Sequence, residues 1–380
     1  MELKSNNFQI LFTFVLLLIF GEIMVLSSSM VRAESIYDNP FFFASRQAIF
    51  ISIGFIIFCF FLLIPSDFLR KFDWLLLILS LILLVALFFP GVGTEVNGSM
   101  RWIRFGPINI QPSEVAKFCM LIYISGYCVR RLEEISSTSG FLRPLFVLTL
   151  FASLILIQPD YGSTAILCLI VMVLLFFAGI SFYQFLILIT LFLILGAIAI
   201  FLEPYRLIRL LSFIDPFEDI QDSGWQLAQS LISLGQGGWF GLGLGNSIQK
   251  NLFLPEAHTD FIFAILVEEL GIIGGVCLIL IYVFLLISIF KVSFESFNKI
   301  RPFQGYLCFG IGFLISLQVI LNIGVNIGLL PTKGLTLPFI SYGGTSLLVM
   351  MSLIAIVVRI NNENKSVSYT HLTLPTILLV

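Results

Sequence analysis

The sequence has little charge. Charged residues make up 11% of its 380 residues, against about a quarter in an ordinary soluble domain. Hydrophobic residues make up 59%, Phe alone contributes 41, and the mean hydropathy is +1.07. A soluble globule of this length cannot bury so much apolar surface, so lipid must be its main solvent. The composition therefore excludes a soluble enzyme, a nucleic-acid-binding protein and a disordered chain.

The sequence also has few histidines, no closely spaced cysteines and little net charge. The histidines are His258 and His371, and the six cysteines lie singly in apolar stretches without CxxC spacing. These patterns exclude a His-based zinc site and a disulfide framework, so we expect no metal site built by the protein. The net charge of −2 indicates neither a polybasic nor a polyacidic surface, and we expect no nucleic-acid partner.

Long apolar runs predict an all-α polytopic membrane protein. A helix that crosses the bilayer needs about 20 mostly apolar residues. We interpret the first run as a retained helix and not a cleaved signal, because it is long and contains Glu22. Cutting at clusters of charge, proline and glycine gives ten spans: 8–29, 46–65, 72–90, 113–130, 144–158, 161–179, 183–202, 260–290, 305–330 and 341–360.

Ten spans place both termini on the same side of the membrane. The short loops on that side carry more of the Lys and Arg residues, so we expect both termini in the cytoplasm. Residues 1–360 then form a single transmembrane domain. Residues 361–380 form an atypical tail for which we expect no function. Two long outer segments remain, 91–112 and 203–259, and long connections of this kind are usually functional.

The large extracytoplasmic loop 203–259 joins the seventh and eighth predicted helices. Within it, Trp225, Ala228, Leu231 and Ile232 fall on one helical face, which predicts an interfacial helix. Six glycines follow between positions 235 and 245. This strip lacks the GK[ST] ending of a phosphate-binding P-loop, so we interpret it as a re-entrant or surface loop.

Ionisable residues inside a span are costly and therefore mark candidate sites. Glu114 and Lys117 lie three residues apart on one face at the start of the fourth span. One interpretation is an internal ion pair. The other is that Lys117 lines a cationic vestibule, open to the outer face, together with Arg101, Arg104 and Gln111 of the preceding segment.

Acidic residues precede two further spans. Asp160 and Asp260 stand where helix caps are expected, and capping is the simpler interpretation of each. Asp260 has unusual neighbours, because Glu256 and His258 lie just before it. We expect Glu256 and His258 to contribute to the same substrate site as Asp260.

Four more polar residues fall inside apolar spans. Glu268 and Glu269 are costly there unless they pair or line a cavity. Asn322 and Asn326 are four residues apart, and we interpret them as hydrogen-bonding links between helices. An acid together with several cations at one face suits a lipid-linked pyrophosphate sugar. The cations stabilise the leaving pyrophosphate, and the carboxylate deprotonates a hydroxyl nucleophile.

Five long motifs resemble the SEDS family of shape, elongation, division and sporulation proteins, with a match from about residue 10 to 360. The motifs are NGSMRWIRFGPINIQPSEVAKF (97–118), QPDYGS (158–163), LAQSLISLGQGGWFGLGLGNS (227–247), LPEAHTDFIFAILVEELG (254–271) and LLPTKGLTLPFISYGGTS (329–346). The segments 24–30, 39–47 and 331–338 are more similar to cell-division members than to elongation members.

The resemblance implies a ten-helix peptidoglycan glycosyltransferase of the bacterial inner membrane, acting at the division septum. Such enzymes polymerise lipid II at the outer face and work with a class B penicillin-binding protein among other division proteins. The family's catalytic aspartate corresponds to Asp260. Other motif positions correspond to Arg101, Trp102, Gln111, Glu114 and Lys117.

The implied reaction converts an α-linked pyrophosphate sugar into a β-1,4 glycan, so one inverting displacement is enough. We expect no tightly bound cofactor, although a divalent Mg or Mn ion that bridges the pyrophosphate is chemically sensible. Three rival hypotheses stay open: a lipid II flippase, an elongation polymerase of the same family, and a scaffold for division proteins. No convincing internal repeat supports the transporter.

Overall fold

The computed structural model describes residues 2–96, 99–106, 108–201, 208, 212–217 and 224–373. Parts of the predicted loop 203–259 and of the predicted tail therefore lie outside the described residues. The helices are α1 (Glu2–Tyr37), α2 (Phe42–Leu63), α3 (Ser66–Lys71), α4 (Asp73–Ala86), α5 (Pro112–Arg130), α6 (Thr138–Ile157), α7 (Tyr161–Phe177), α8 (Phe182–Phe201), α9 (Trp225–Gly237), α10 (Ile262–Asn298), α11 (Pro302–Asn326) and α12 (Gly344–Thr373). The strands are β1 (Gly93–Val96), β2 (Ser99–Phe105) and β3 (Ile108–Ile110).

Each of the ten predicted spans coincides with a helix. Among the described residues, six helices are long and apolar enough to cross a membrane, namely α1, α2, α6, α10, α11 and α12. The shorter α4, α7 and α8 are also apolar. The remaining span is α5, which has 19 residues and carries Glu114 and Lys117. The prediction of a polytopic helical membrane protein is confirmed.

Helix α5 runs through the interior of the bundle. It packs against α4, α7 and α11, and nearly all of its side chains are buried. Pro112 occupies the first turn, where its missing N–H leaves no hydrogen bond unmade. Because protein covers α5 on most sides, its charged side chains must find partners inside the protein.

The outer segment 91–112 contains a three-stranded sheet that the all-helical interpretation did not include. Strand β2 pairs antiparallel with β1 and β3, and Gly106 makes the β2–β3 turn at φ +59°. The Thr345 hydroxyl donates to the Asn109 carbonyl at 3.0 Å and accepts from the Gln111 amide at 3.1 Å. These bonds fasten the sheet to the start of α12.

Helix α10 is broken at Gly271, whose φ of +74° and ψ of −179° are not helical. The glycine strip supplies partners for the backbone groups that the break exposes. The amides of Leu242 and Gly243 donate to the carbonyls of Glu268 and Glu269, each at 2.9 Å. Inside a membrane such groups must be satisfied by protein. The strip is therefore part of the packed structure and not a free loop.

Helix α9 is present as predicted, and its position at the membrane interface stays a prediction. It packs along α10 and buries Leu227, Ser230 and Ser233 together with Ala228. The Ser230 hydroxyl donates to the Asn326 carbonyl at 2.8 Å. Neighbouring helices thus satisfy the small polar side chains, so the buried face of α9 can carry serines that a lipid-facing helix would expose.

Helix α12 passes the predicted domain boundary at residue 360 without a break. Glu363 pairs with Arg301 at 2.7 Å, and the Asn364 amide donates to the Ser296 hydroxyl at 2.8 Å. These contacts join the beginning of the predicted tail to α10 and α11. The absence of function in the rest of 361–380 stays a prediction.

Candidate active site

Asp260 lies in the turn that leads into α10, and it is partly exposed. Its backbone carbonyl accepts hydrogen bonds from the side-chain amides of Asn322 at 2.9 Å and Asn326 at 3.0 Å. The Asn326 side-chain oxygen accepts in turn from the Ala264 amide at 3.1 Å. The predicted role of these asparagines as links between helices is confirmed, and α11 thereby fixes the backbone that carries Asp260.

The Asp260 carboxylate faces the α11–α12 loop at Gly334. A β-carbon on Gly334 would lie 3.0 Å from the Asp260 Oδ2 atom, so glycine lets the loop approach the acid closely. Asn322, which holds Asp260, also donates to the Leu335 carbonyl at 2.6 Å. One side chain therefore fixes both the catalytic candidate and the loop that faces it.

Asp160 forms a second carboxylate site beside this loop. Its Oδ1 accepts from the Ser163 amide at 3.1 Å, which is the predicted helix cap. Its Oδ2 accepts from the Ser113 hydroxyl at 3.0 Å and from the side-chain amide of Gln111 at 3.3 Å. Leu335 packs against Gly162. Asp160 thus does more than cap α7, because it also ties α7 to the start of α5.

The Arg101 side chain extends from β2 to the turn before Asp160. Its guanidinium donates to the carbonyl of Gln158 at 3.2 Å and to the carbonyl of Pro159, so it supports the turn that presents Asp160. Arg101 and Gln111, two of the predicted site residues, therefore converge on one turn.

Trp102 is the next residue along β2 and is half-buried. Because side chains alternate along a strand, it points to the opposite face of the sheet from Arg101. Its carbonyl accepts from the Thr94 hydroxyl at 3.0 Å, which contributes to the β1–β2 pairing. A contact between Trp102 and the substrate stays a prediction.

Glu114 and Lys117 form a buried ion pair. The Lys117 Nζ lies 2.7 Å from Glu114 Oε1, and the side chains are only 1% and 8% exposed. This geometry supports the ion-pair interpretation over the vestibule interpretation. In the described part of the chain, Glu114 Oε2 has no hydrogen-bond partner, so the glutamate depends strongly on Lys117 for compensation of its charge.

Glu256 and His258 lie on the other side of Asp260. The Glu256 carboxylate pairs with Arg32 at 3.1 Å and accepts from the Thr259 hydroxyl at 2.8 Å. His258 is 4% exposed, and its ring packs 4.5 Å from that of Phe43. Burial lowers the pKa of His258 to about 4, although the charge of Glu256 acts in the opposite direction. His258 is therefore neutral at pH 7, and the substrate-binding role of both residues stays a prediction.

Glu268 and Glu269 are fully buried and satisfied, as their position in a span required. Glu269 pairs with Lys250 at 3.0 Å and accepts from the Ser27 hydroxyl at 2.7 Å. Glu268 accepts from the Ser247 hydroxyl at 2.6 Å and from three further groups: the Ser233 hydroxyl and the amides of Ile248 and Gln249. This network fastens the segment before Asp260 to α1, α9 and α10.

Replacing Ser233 should destabilise the protein through this network. Ser233→Ala removes a 2.7 Å hydrogen bond to the buried Glu268 carboxylate, and hydrogen bonds to charged groups contribute about 1.5–3 kcal/mol. We expect a lower thermal unfolding midpoint in detergent. Ser352→Ala is the matched control, because that buried hydroxyl donates only to the Leu348 carbonyl of its own helix. Equal midpoints for the two variants would contradict the role assigned to the network.

The fold and the site define a class: a polytopic helical membrane protein with a partly exposed aspartate held at the entrance to a broken helix. The family model FTSW_RODA_SPOVE, described as Cell cycle protein, matches residues 8–366. The chain therefore belongs to this family, the SEDS family that the sequence motifs indicated.

Named relatives and solved structures support this family assignment. A "Probable peptidoglycan glycosyltransferase FtsW" of Marinomonas mediterranea is 47% identical over 356 residues, which cover 93% of this chain and 87% of the relative. The Legionella pneumophila protein of the same name is 42% identical over 351 residues, covering 92% and 89%. A structure described as "Structural coordination of polymerization and crosslinking by a peptidoglycan synthase complex" is 26% identical with a TM-score of 0.74, covering 91% and 97%.

The Thermus thermophilus rod shape determining protein RodA also has the same fold. Its crystal structure is 24% identical with a TM-score of 0.68, covering 94% of this chain and 97% of that protein. At this identity the likeness concerns the fold alone.

Proposed function

We propose that this protein is a peptidoglycan glycosyltransferase that polymerises lipid II into β-1,4 glycan at the outer face of the bacterial inner membrane. The observation that carries the proposal is the position of Asp260. Its partly exposed carboxylate precedes α10 on a backbone that Asn322 and Asn326 hold in place. The FtsW name of relatives 40–47% identical favours septal synthesis in cell division over elongation.

In the proposed reaction, the 4-hydroxyl oxygen of the acceptor GlcNAc attacks the anomeric carbon of the donor MurNAc. The bond from that carbon to the pyrophosphate oxygen breaks, and its electron pair leaves with the lipid pyrophosphate. Asp260 accepts the hydroxyl proton as general base. The displacement inverts the α-linked donor into a β-linked product, so no covalent enzyme intermediate and no second carboxylate are needed.

No tightly bound cofactor is part of this proposal. Within the described residues, no group of three or more His, Cys, Asp or Glu side chains is placed to hold a metal ion. A Mg²⁺ or Mn²⁺ ion, where the reaction uses one, would enter with the substrate and neutralise part of the pyrophosphate charge.

We further propose that a class B penicillin-binding protein and other division proteins are partners, that the protein works at the septum and that both termini are cytoplasmic. The likeness to a peptidoglycan synthase complex supports the first point. The distribution of Lys and Arg supports the last.

Detergent micelles separate polymerisation from transport, because a micelle has no second side to which lipid II could move. We expect the purified protein with its transpeptidase partner to convert labelled lipid II into glycan chains under these conditions. Lipid II left unreacted, together with its movement across the bilayer of proteoliposomes, would favour the flippase instead.

A further inference from the structure

The cations near the candidate site are mostly engaged by protein groups. Four of these cations have defined partners: Arg32 with Glu256, Lys117 with Glu114, Lys250 with Glu269, and Arg101 with the carbonyls of the turn before Asp160. A substrate pyrophosphate would have to break these contacts to bind there. The polymerase reaction nevertheless needs positive charge at the leaving group.

Lys333 differs from these paired cations. In the described part of the chain, its ammonium group makes neither a hydrogen bond nor an ion pair within 4 Å. The residue is exposed to solvent. Desolvation by the surrounding protein lowers the pKa of Lys333, and the negative charge of Asp160 acts in the opposite direction. The charge of Asp160 therefore reaches Lys333 although the lysine side chain stays accessible to water.

Lys333 lies on a loop beside the catalytic candidate. Lys333 directly precedes Gly334, where an added β-carbon would lie 3.0 Å from the Asp260 Oδ2 atom. The loop cannot move freely, because Asn322 holds the Leu335 carbonyl at 2.6 Å and the Asp260 carbonyl at 2.9 Å. One asparagine therefore sets the position of the lysine-bearing loop relative to the aspartate.

Asp160 does not form an ion pair with Lys333 within 4 Å. Both Asp160 oxygens already accept hydrogen bonds, Oδ1 from the Ser163 amide and Oδ2 from Ser113 and Gln111. At more than 4 Å, Asp160 attracts the lysine without binding it. The ammonium thus remains available to an incoming anion.

We propose that Lys333 binds the pyrophosphate of the lipid-linked donor and stabilises it as it leaves. This inference rests on the proposed function. Asp260 and Lys333 would then act on the two ends of one displacement. Asp260 takes the proton of the attacking hydroxyl, and Lys333 faces the oxygen that receives the electron pair of the breaking bond. Lys117 keeps its structural role beside Glu114.

Two measurements on the purified protein with its transpeptidase partner test this assignment. The first is kcat/KM for lipid II polymerisation. The second is equilibrium binding of polyprenyl pyrophosphate, which needs no turnover. The variants are Lys333→Met, Lys333→Gln and Lys333→Arg. Lys291→Met is the matched control, because Lys291 is exposed within α10, away from the α11–α12 loop.

We expect Lys333→Met and Lys333→Gln to lower kcat/KM about 10²-fold, as for removal of one donor to a developing oxyanion. Both should bind polyprenyl pyrophosphate at least tenfold more weakly, while Lys333→Arg restores most of the binding and Lys291→Met changes neither quantity. Folding should persist, because removing an unpaired lysine leaves no acid without its partner.

Unchanged binding of polyprenyl pyrophosphate by both neutral variants would overturn the role of Lys333, whatever the polymerase activity. Failure of the wild-type protein to form glycan would instead count against the proposed function. The binding measurement and the activity measurement therefore separate the two failures.

Discussion

Asp260→Asn should abolish polymerisation while the protein folds, inserts and binds its partner normally. General-base catalysis contributes about 10²- to 10⁴-fold, and asparagine cannot accept the proton of the attacking hydroxyl. The fold should survive, because Asn322 and Asn326 bind the backbone carbonyl of residue 260 and not its side chain. The measurement is the initial rate of glycan formation from lipid II, compared at equal amounts of folded protein.

The capping interpretation of Asp260 is wrong, because Phe261 is the N-cap of α10 and no side chain caps that helix. Loss of a helix cap therefore does not enter this comparison. Asp38→Asn is a matched control: Asp38 is exposed after α1 and has φ +53°, a conformation that asparagine tolerates well. Its rate should equal that of the wild type. A near-normal rate for Asp260→Asn would defeat the assignment, and Glu256 would become the next candidate base.

Lys117→Met should strongly destabilise the protein. The substitution keeps much of the apolar volume but leaves Glu114 buried without its partner at 2.7 Å. Breaking a buried ion pair costs about 3–5 kcal/mol, whereas replacing both partners together is often close to neutral. We therefore expect a much lower thermal unfolding midpoint for Lys117→Met, and substantial recovery in the double variant Glu114→Gln, Lys117→Met.

The exposed pair Arg131–Glu134 provides the comparison. It has the same three-residue spacing and an N–O distance of 2.8 Å, but its side chains are 44% and 48% exposed. Arg131→Met should change stability by less than about 1 kcal/mol. A stable Lys117→Met protein that no longer binds polyprenyl pyrophosphate would restore the vestibule interpretation of Lys117.

The ten helices could be predicted because lipid imposes a local rule. A span needs a continuous apolar run of sufficient length, and that run is visible in sequence without knowledge of its neighbours. The same rule shows why Glu268 and Glu269 needed partners. It does not identify those partners, because Ser27, Ser233 and Lys250 are distant in the sequence.

The break at Gly271 and the sheet of 93–110 could not be predicted in the same way. The predicted span 260–290 runs through Gly271 without interruption. The break is stabilised by the glycine strip of another segment, which binds the exposed backbone groups. The sheet strands are short, and the hydroxyl of Thr345 fixes them from a distant helix. Both features depend on tertiary contacts.

The candidate site, like the fold, could be predicted from the sequence only in part. The position of Asp260 before a helix was readable from its motif, as was the linking role of Asn322 and Asn326. Ion pairs decided the roles of the charged residues. The sequence offered the pair of Glu114 and Lys117 as one of two interpretations but could not choose between them. Lys117 was expected to bind substrate as one alternative, yet it is buried against Glu114. Lys333 lay in a quoted motif without a role, and only the loop geometry places it beside Asp260.

Gel separation of glycan chains made from labelled lipid II tests the central claim most directly. Purified wild-type protein and Asp260→Asn protein would be incubated side by side with the same transpeptidase partner, its crosslinking activity blocked so that only polymerisation is seen. We predict a ladder of chains from the wild type and unreacted lipid II from Asp260→Asn. Chains made by the Asp260→Asn protein, or none made by the wild type, would contradict the account.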